Sequence, residues 1–376
     1  MENSVENNRS SNYELLRIFA MLMIVACHYS CHGIRHCLNP EMCNIWQNGI
    51  TVNKFFTSFL INGGGIGNGI FFMLTGFFMY DKEYEIRRIL KLLAQVYFYS
   101  FFMLFAWALI RFFHVYNFPE LSKTSQVMLI INAIIPITSG TWWFIQTYCV
   151  LFLFIPVLNN LLEKLKSKGL IIILCFVWIF WFAPKIFGFG YSNFQMAVFF
   201  YILGAVLKKN NFTLNKWLSG MFFCMVWFFL TFIDMKNSQI IKSENISEMI
   251  LKVIYSGIST AMLTPLAVIF LFEFCKGIKI RNSKVINTIA ASTFGVYLIH
   301  DSSVGRQFIW NKVFHCLDYQ YNSKYFPILA IATVLIVFVS CSIIDLLRKL
   351  LLERKTIHIL NTLIDKIDII QKNELN

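Results

Sequence analysis

Charge is what this chain has least of. Asp, Glu, Lys and Arg make up only 14% of its 376 residues, against roughly 25% in average soluble domains. Hydrophobic residues reach 57%, and Phe alone contributes 40 residues. A soluble domain of this size has no interior large enough to hide that much apolar surface. Soluble enzymes, disordered proteins, collagens and small disulfide scaffolds are therefore excluded. The alternation of apolar and polar residues that marks a membrane β-barrel is missing too; runs such as Leu170 to Phe182 and Phe326 to Val339 are continuous. These absences leave an all-α polytopic membrane protein.

A spanning helix needs about 20 mostly apolar residues. Ten stretches are predicted to qualify: 15–34, 61–80, 92–113, 142–161, 169–187, 193–207, 217–234, 250–274, 286–311 and 325–347. The apolar segment 125–138 is short and contains Pro136, so it is expected to lie in the interface or re-enter. With the N-terminus inside, 22 of the 33 basic residues fall on the inner side, and every inner loop carries at least three. That asymmetry places both termini in the cytoplasm. An eleventh span at 125–138 would invert everything downstream and spoil the pattern.

The net charge of +13 then reflects loop bias and attraction to anionic lipid, not a nucleic-acid surface. The N-terminus lacks a signal-peptide pattern, because Arg17 interrupts the first apolar stretch and no small-residue cleavage site follows. No soluble domain, long linker or internal repeat stands out. The expected organisation is a cytoplasmic tail over 1–14, a ten-helix membrane domain over 15–347, and a basic amphipathic tail over 348–376 along the inner leaflet.

Ionisable residues inside a bilayer are costly, which makes them functional candidates. The first span carries two, Arg17 and His28. Eleven residues of helix separate them by about 16 Å and bring them within about 20° of the same face. A guanidinium near the cytoplasmic end suits phosphate or carboxylate, and a deeper imidazole can take and return a proton. The blander alternative is a snorkelling arginine with a histidine satisfied by a neighbouring helix. His28, His32 and His36 recur at helical spacing, but Gly33 and the end of the span argue against a helix continuing to His36. No carboxylate converges in sequence, so no metal site is expected. In the ninth span, His300 and Asp301 lie at membrane depth, and Glu273 reads as an interfacial charge.

Other features carry less chemistry. The run NGGGIGNGIFFMLTGFFMY from Asn62 lacks the Gly-Lys-Ser/Thr of a P-loop, and the topology puts it on the outer side. It reads as a flexible or close-packed re-entry into the membrane. Arg87, Arg88 and Lys91 follow in DKEYEIRRILK, explained equally by positive-inside bias or by a phosphate cluster. Of the ten cysteines, Cys149, Cys175, Cys224, Cys275 and Cys341 read as packing residues. Cys31, Cys37, Cys43 and Cys316 face outside, where Cys37 with Cys43 is the local candidate pair.

Taken together, these segments resemble the acyltransferase-3 family of integral-membrane acyltransferases over nearly the whole chain. Arg17 and His28 match the family's arginine–ten residues–histidine motif. GNGIFFMLTGFFMY is similar to its second helix, with Thr75 where serine is common and Gly76 retained. Arg88-Ile-Leu-Lys91 matches a cytoplasmic Arg-x-x-Arg, with lysine in the second place. TWWFIQTYCVLFLFIP, with Trp142, Trp143 and Pro156, resembles the WF…P helix, and GVYLIH ending at His300 matches the penultimate helix.

The resemblance implies transfer of an acyl group, usually acetyl, from cytosolic acyl-CoA to a hydroxyl of a surface polysaccharide or its lipid-linked precursor. On this reading Arg17, Arg87, Arg88 and Lys91 neutralise the CoA phosphates. His28 serves as general base or as acyl carrier, a choice the residues leave open, and His300 orients His28 or binds the acceptor. Trp142, Trp143, Gln146, Tyr297 and Gly76 are expected at the substrate pocket. Some family members carry a fused extracytoplasmic hydrolase-like domain; this chain has no Gly-Asp-Ser block, so it acts alone or hands its acyl group to a separate partner. A composition rich in Lys, Asn, Ile and Phe points to a bacterial inner membrane and an envelope acceptor. The alternative from another class is a transporter or flippase for a lipid-linked saccharide, using the same Arg and His. Against it stands the lack of an inverted repeat.

Overall fold

A computed structural model describes residues 10–37, 51–116, 118, 123–187, 193–239, 246–353, 355–359 and 361–362. Every regular element among them is helical. The chain runs α1 (Ser11–His28), α2 (Val52–Ile61), α3 (Gly63–Met79), α4 (Ile86–Phe112), α5 (Lys123–Ile134), α6 (Trp143–Lys164) and α7 (Ser167–Phe187). It continues with α8 (Asn193–Lys209), α9 (Lys216–Gln239), α10 (Ile246–Gly257), α11 (Thr264–Lys276), α12 (Lys284–His300), α13 (Ser303–Gln307) and α14 (Phe326–Arg348).

Among the described residues, five helical stretches are long and apolar enough to cross a membrane: Ser11–Ile34, Ile86–Phe112, Trp143–Lys164, Lys216–Asn237 and Phe326–Glu353. Around them Phe105, Phe176, Phe228 and Ile328 stand exposed on outward faces, as lipid contact requires. The protein is an integral membrane protein of helices. The other expected spans are helical as well, and α7 covers the one expected at 169–187. Helices α3, α8 and α12 have 17 residues each, about 26 Å of helix, and are packed inside the bundle. The stretch around 250–274 is built as α10, a π-helical turn at Ile258–Leu263 and α11. Segment 125–138 falls largely in α5, whose 12 residues cover only about 18 Å. It packs on α4, where the Ser100 hydroxyl donates to the Ala133 carbonyl at 3.0 Å.

The glycine-rich run is a packing device. A Cβ on Gly67 would lie 2.6 Å from the Ala20 carbonyl oxygen of α1, and one on Gly76 would lie 1.9 Å from the Tyr201 carbonyl oxygen of α8. From the α8 side, a Cβ on Gly204 would reach 2.0 Å from the Met73 oxygen. Small residues let backbones approach this closely where lipid gives helices no hydrophobic reason to associate. A core of Leu16, Ile70, Phe72, Phe200, Phe272 and their neighbours forms around the α3–α8 contact. A second core joins the far half of α1 to α12 and α14 through Val25, Tyr29, Val296, Leu298, Trp310 and Phe338.

One buried carboxylate ties α14 to α4. Asp345 is fully buried and accepts from Tyr99 Oη at 2.8 Å, Gln95 Nε2 at 3.0 Å and Arg348 Nε at 2.8 Å. It sits against Gly295 of α12, where a side chain would collide with it. Asp345 thereby joins α14 to α4 and packs both against α12.

Candidate functional site

A cavity of about 350 Å³ opens between α1, α3, α4, α6 and α12. Arg17, Met21 and Ile24 line it from α1, one helical turn apart, and His28 follows on the same face. Arg17 and Arg88 mark one end, and Tyr297 and Phe144 the other. Asn68, Thr75 and Tyr148 are polar points along a wall that is otherwise Phe, Leu and Met. Arg17 is held in place by the buried Glu14, whose Oε1 accepts from Nη1 at 2.5 Å, and by the Phe78 ring 5.6 Å away.

Beyond the Tyr297 end lies a cluster of titratable groups from both ends of the chain. His28 Nδ1 is 2.9 Å from His300 Nε2 and 3.3 Å from Asp301 Oδ1. His300 Nδ1 lies 2.6 Å from the Val296 carbonyl oxygen. A carbonyl only accepts, so His300 Nδ1 carries a proton and, in the neutral ring, His300 Nε2 is an acceptor. His28 must then donate from Nδ1, which leaves its Nε2 with the lone pair. Asp301, fully buried, accepts from Arg306 Nε at 2.7 Å and lies 3.8 Å from His32 Nε2. The backbone after His28 winds as a π-helical turn over Tyr29–Ile34 and a 3-10 turn over Arg35–Cys37. Helical winding therefore does continue to His36, against the sequence expectation. Gly33 permits it by closing on Cys316, where a Cβ would come within 3.0 Å of the Cys316 Cβ. The His36 ring meets the His32 ring edge-on at 5.3 Å.

The convergence of His28, His32 and Asp301, with ligand atoms within 4.8 Å of one another, is a set a transition metal accepts. A carboxylate does converge, then, but through folding and not in sequence. Here Asp301 Oδ1 is engaged by Arg306 and His28 Nδ1 by His300, whereas Asp301 Oδ2 is buried without a hydrogen-bond partner.

Several residues expected at the site are placed elsewhere. On α6 the cavity wall is Phe144 and Tyr148, one turn apart. Gln146 points to the opposite side and is exposed, Trp143 packs against the first core, and Trp142 is buried beside Ser302 and Val304. Gly76 meets the α8 backbone and does not line the cavity. Among the four expected phosphate ligands, Arg17 and Arg88 share the cavity, whereas Arg87 is exposed outside it. Lys91 lines a neighbouring cavity of about 320 Å³ with Gln95 and Arg348. Glu273 is buried and accepts from the Leu214 backbone N–H at 3.0 Å, which makes it a loop anchor and not an interfacial charge. The Cys37–Cys43 pair lies outside the described residues.

Sequence reasoning missed Glu14, Phe144, Tyr148 and Arg306. Glu14 carried a signal, being a buried acid one turn before Arg17; Arg306 carried none.

No curated protein and no solved structure matches the chain. A family model described as an acyltransferase domain matches residues 11–345, nearly the whole chain. Arg17, His28, Tyr297 and His300 all fall inside that match, and the chain belongs to the acyltransferase-3 family of membrane acyltransferases.

Proposed function

We propose that this protein transfers an acyl group, acetyl in the first instance, from cytosolic acyl-CoA to a hydroxyl of a cell-surface saccharide or its lipid-linked precursor. One observation carries the reading. The cavity has two guanidinium groups at one end, and the His28–His300 pair stands on the same α1 face beyond the other. With the Arg17 end toward the cytosol, as the loop charges favour, Arg17 and Arg88 neutralise CoA phosphates and the thioester extends toward Tyr297.

His28 Nε2 then accepts the proton of the acceptor hydroxyl as its oxygen attacks the thioester carbonyl carbon. The tetrahedral intermediate collapses with cleavage of the C–S bond, and the His28 proton passes to the departing sulfur, leaving an oxygen ester and CoA thiol. His300 keeps His28 in the reactive tautomer through the Nδ1–H···Nε2 bond, and Asp301 stabilises the imidazolium that forms. This bond arrangement favours a general base over an acyl carrier. A bacterial envelope acceptor is part of the same proposal.

The test is the O-acetyl content of surface polysaccharide in cells lacking the gene. Complementation with wild type is expected to restore the ester, and membrane-inserted His28→Ala or Arg17→Ala is not. Full restoration by His28→Ala would remove His28 from the mechanism.

A further inference from the structure

The Tyr297 side chain is 4% exposed, and its hydroxyl, shielded from water, has no hydrogen-bond partner. A phenol left in that state loses its hydration with no well-made hydrogen bond in return. Native structures keep few such groups, and those kept call for an explanation. Among the described residues, Tyr297 is the one lining the Arg17–Arg88 cavity that carries a buried polar side-chain atom without a partner.

Its position is as specific as its state. The Tyr297 ring meets Phe144 edge-on at 5.9 Å and closes the cavity at the end opposite the guanidinium groups. Its ring centroid is 6.3 Å from that of His300, which is in turn bonded to His28. The Tyr297 ring thus stands between the cavity and the His28–His300 pair. Asp301 and the Phe144 backbone are its polar neighbours, yet neither is placed for a hydrogen bond of normal geometry.

The geometry points to Tyr297 as the hydrogen-bond donor to the thioester carbonyl oxygen, stabilising the oxyanion when the acceptor oxygen adds. This rests on the acyltransferase reading above. In the step itself, the acceptor O–H proton moves to His28 Nε2 and the new C–O bond forms. The carbonyl π electrons move onto the oxygen facing Tyr297 Oη. Reformation of C=O breaks the C–S bond, and the sulfur takes the proton from His28. A neutral phenol serves here because it only donates and needs no proton exchange within the cycle.

The experiment uses the full-length protein purified in detergent, with acetyl-CoA as donor, envelope saccharide extracted from cells lacking the gene as the hydroxyl acceptor, and CoA thiol release as readout. Binding of a carba analogue, with CH₂ in place of the thioester sulfur, is measured alongside. Tyr297→Phe keeps the ring and the cavity wall. It is expected to lower kcat about a hundredfold to a thousandfold, with donor KM and analogue affinity within about twofold of wild type. Unchanged kcat in Tyr297→Phe overturns the assignment. So does a lowered melting temperature with kcat intact, which would make Asp301 the true partner of the hydroxyl, or joint loss of kcat and analogue binding, which would make Tyr297 a ground-state or structural contact. Wild-type protein that releases no thiol would instead defeat the acyltransferase reading itself, so the two failures are told apart.

Discussion

Arg17 and Arg88 line one cavity but are built differently, and that difference separates binding from folding. Arg17 has a buried counter-ion in Glu14, so removing its guanidinium strands a carboxylate and disturbs structure as well as any ligand. Arg88 is exposed and paired only with the exposed Glu85 at 3.2 Å, an interaction of little structural worth. Arg88→Ala is therefore expected to raise the donor KM about tenfold, the loss of one charge-assisted contact, with kcat and melting temperature unchanged. Steady-state kinetics against acetyl-CoA check this; an unchanged KM would take Arg88 out of the donor site. Arg17 and His28 were legible as a pair from spacing alone, because both lie on one helix. Asp301, Arg306 and His300 reach His28 only through the packing of α12 on α1, contacts 272 residues apart in the case of His28 and His300, and no local periodicity records that.

At the scale of elements, the closest approach is between α3 and α8. A methyl group on Gly76 would collide with the Tyr201 backbone, whereas one on Gly65 would meet Thr264 Cγ2 at an ordinary 3.5 Å. Gly76→Ala is thus expected to destabilise the protein by about 1–3 kcal/mol or more through overpacking. Gly65→Ala is expected to be neutral or slightly stabilising, since Ala is the better helix former. Thermal unfolding in detergent separates the two, and equal effects would show that the α3–α8 contact is not as close as described. Helices α6 and α3 show what the sequence hides. Helical period gives the phase of residues along α6 but not the rotation of the helix in the bundle. Phe144 and Tyr148 therefore face the cavity where Trp142, Trp143 and Gln146 were expected. Gly76 was legible as special, but close packing and a ligand wall both favour glycine, and only the neighbouring α8 backbone decides between them.

At the scale of the molecule, membrane character was legible outright from the shortage of charge, and the number of spans was not. Among the described residues five helices meet the length and apolarity of a span; 17-residue elements such as α3 and α12 are buried among them, where neighbouring protein replaces lipid and length no longer reports a crossing. Orientation rests on loop charge. A single cysteine at Lys82 should be labelled by an impermeant thiol reagent only after the cells are opened, and one at Lys324 in intact cells, in a background cleared of accessible native cysteines. The reverse pattern would put the Arg17 end outside and separate it from cytosolic CoA. The central claim is that His28 is the base in a thioester transfer, and the most direct test is CoA thiol release from acetyl-CoA by the purified protein, given envelope saccharide as acceptor, with and without that imidazole. His28→Ala is expected to fold normally, bind the donor, and lose about 10²- to 10⁴-fold in kcat. A His28→Ala protein that releases thiol at the wild-type rate would contradict the account.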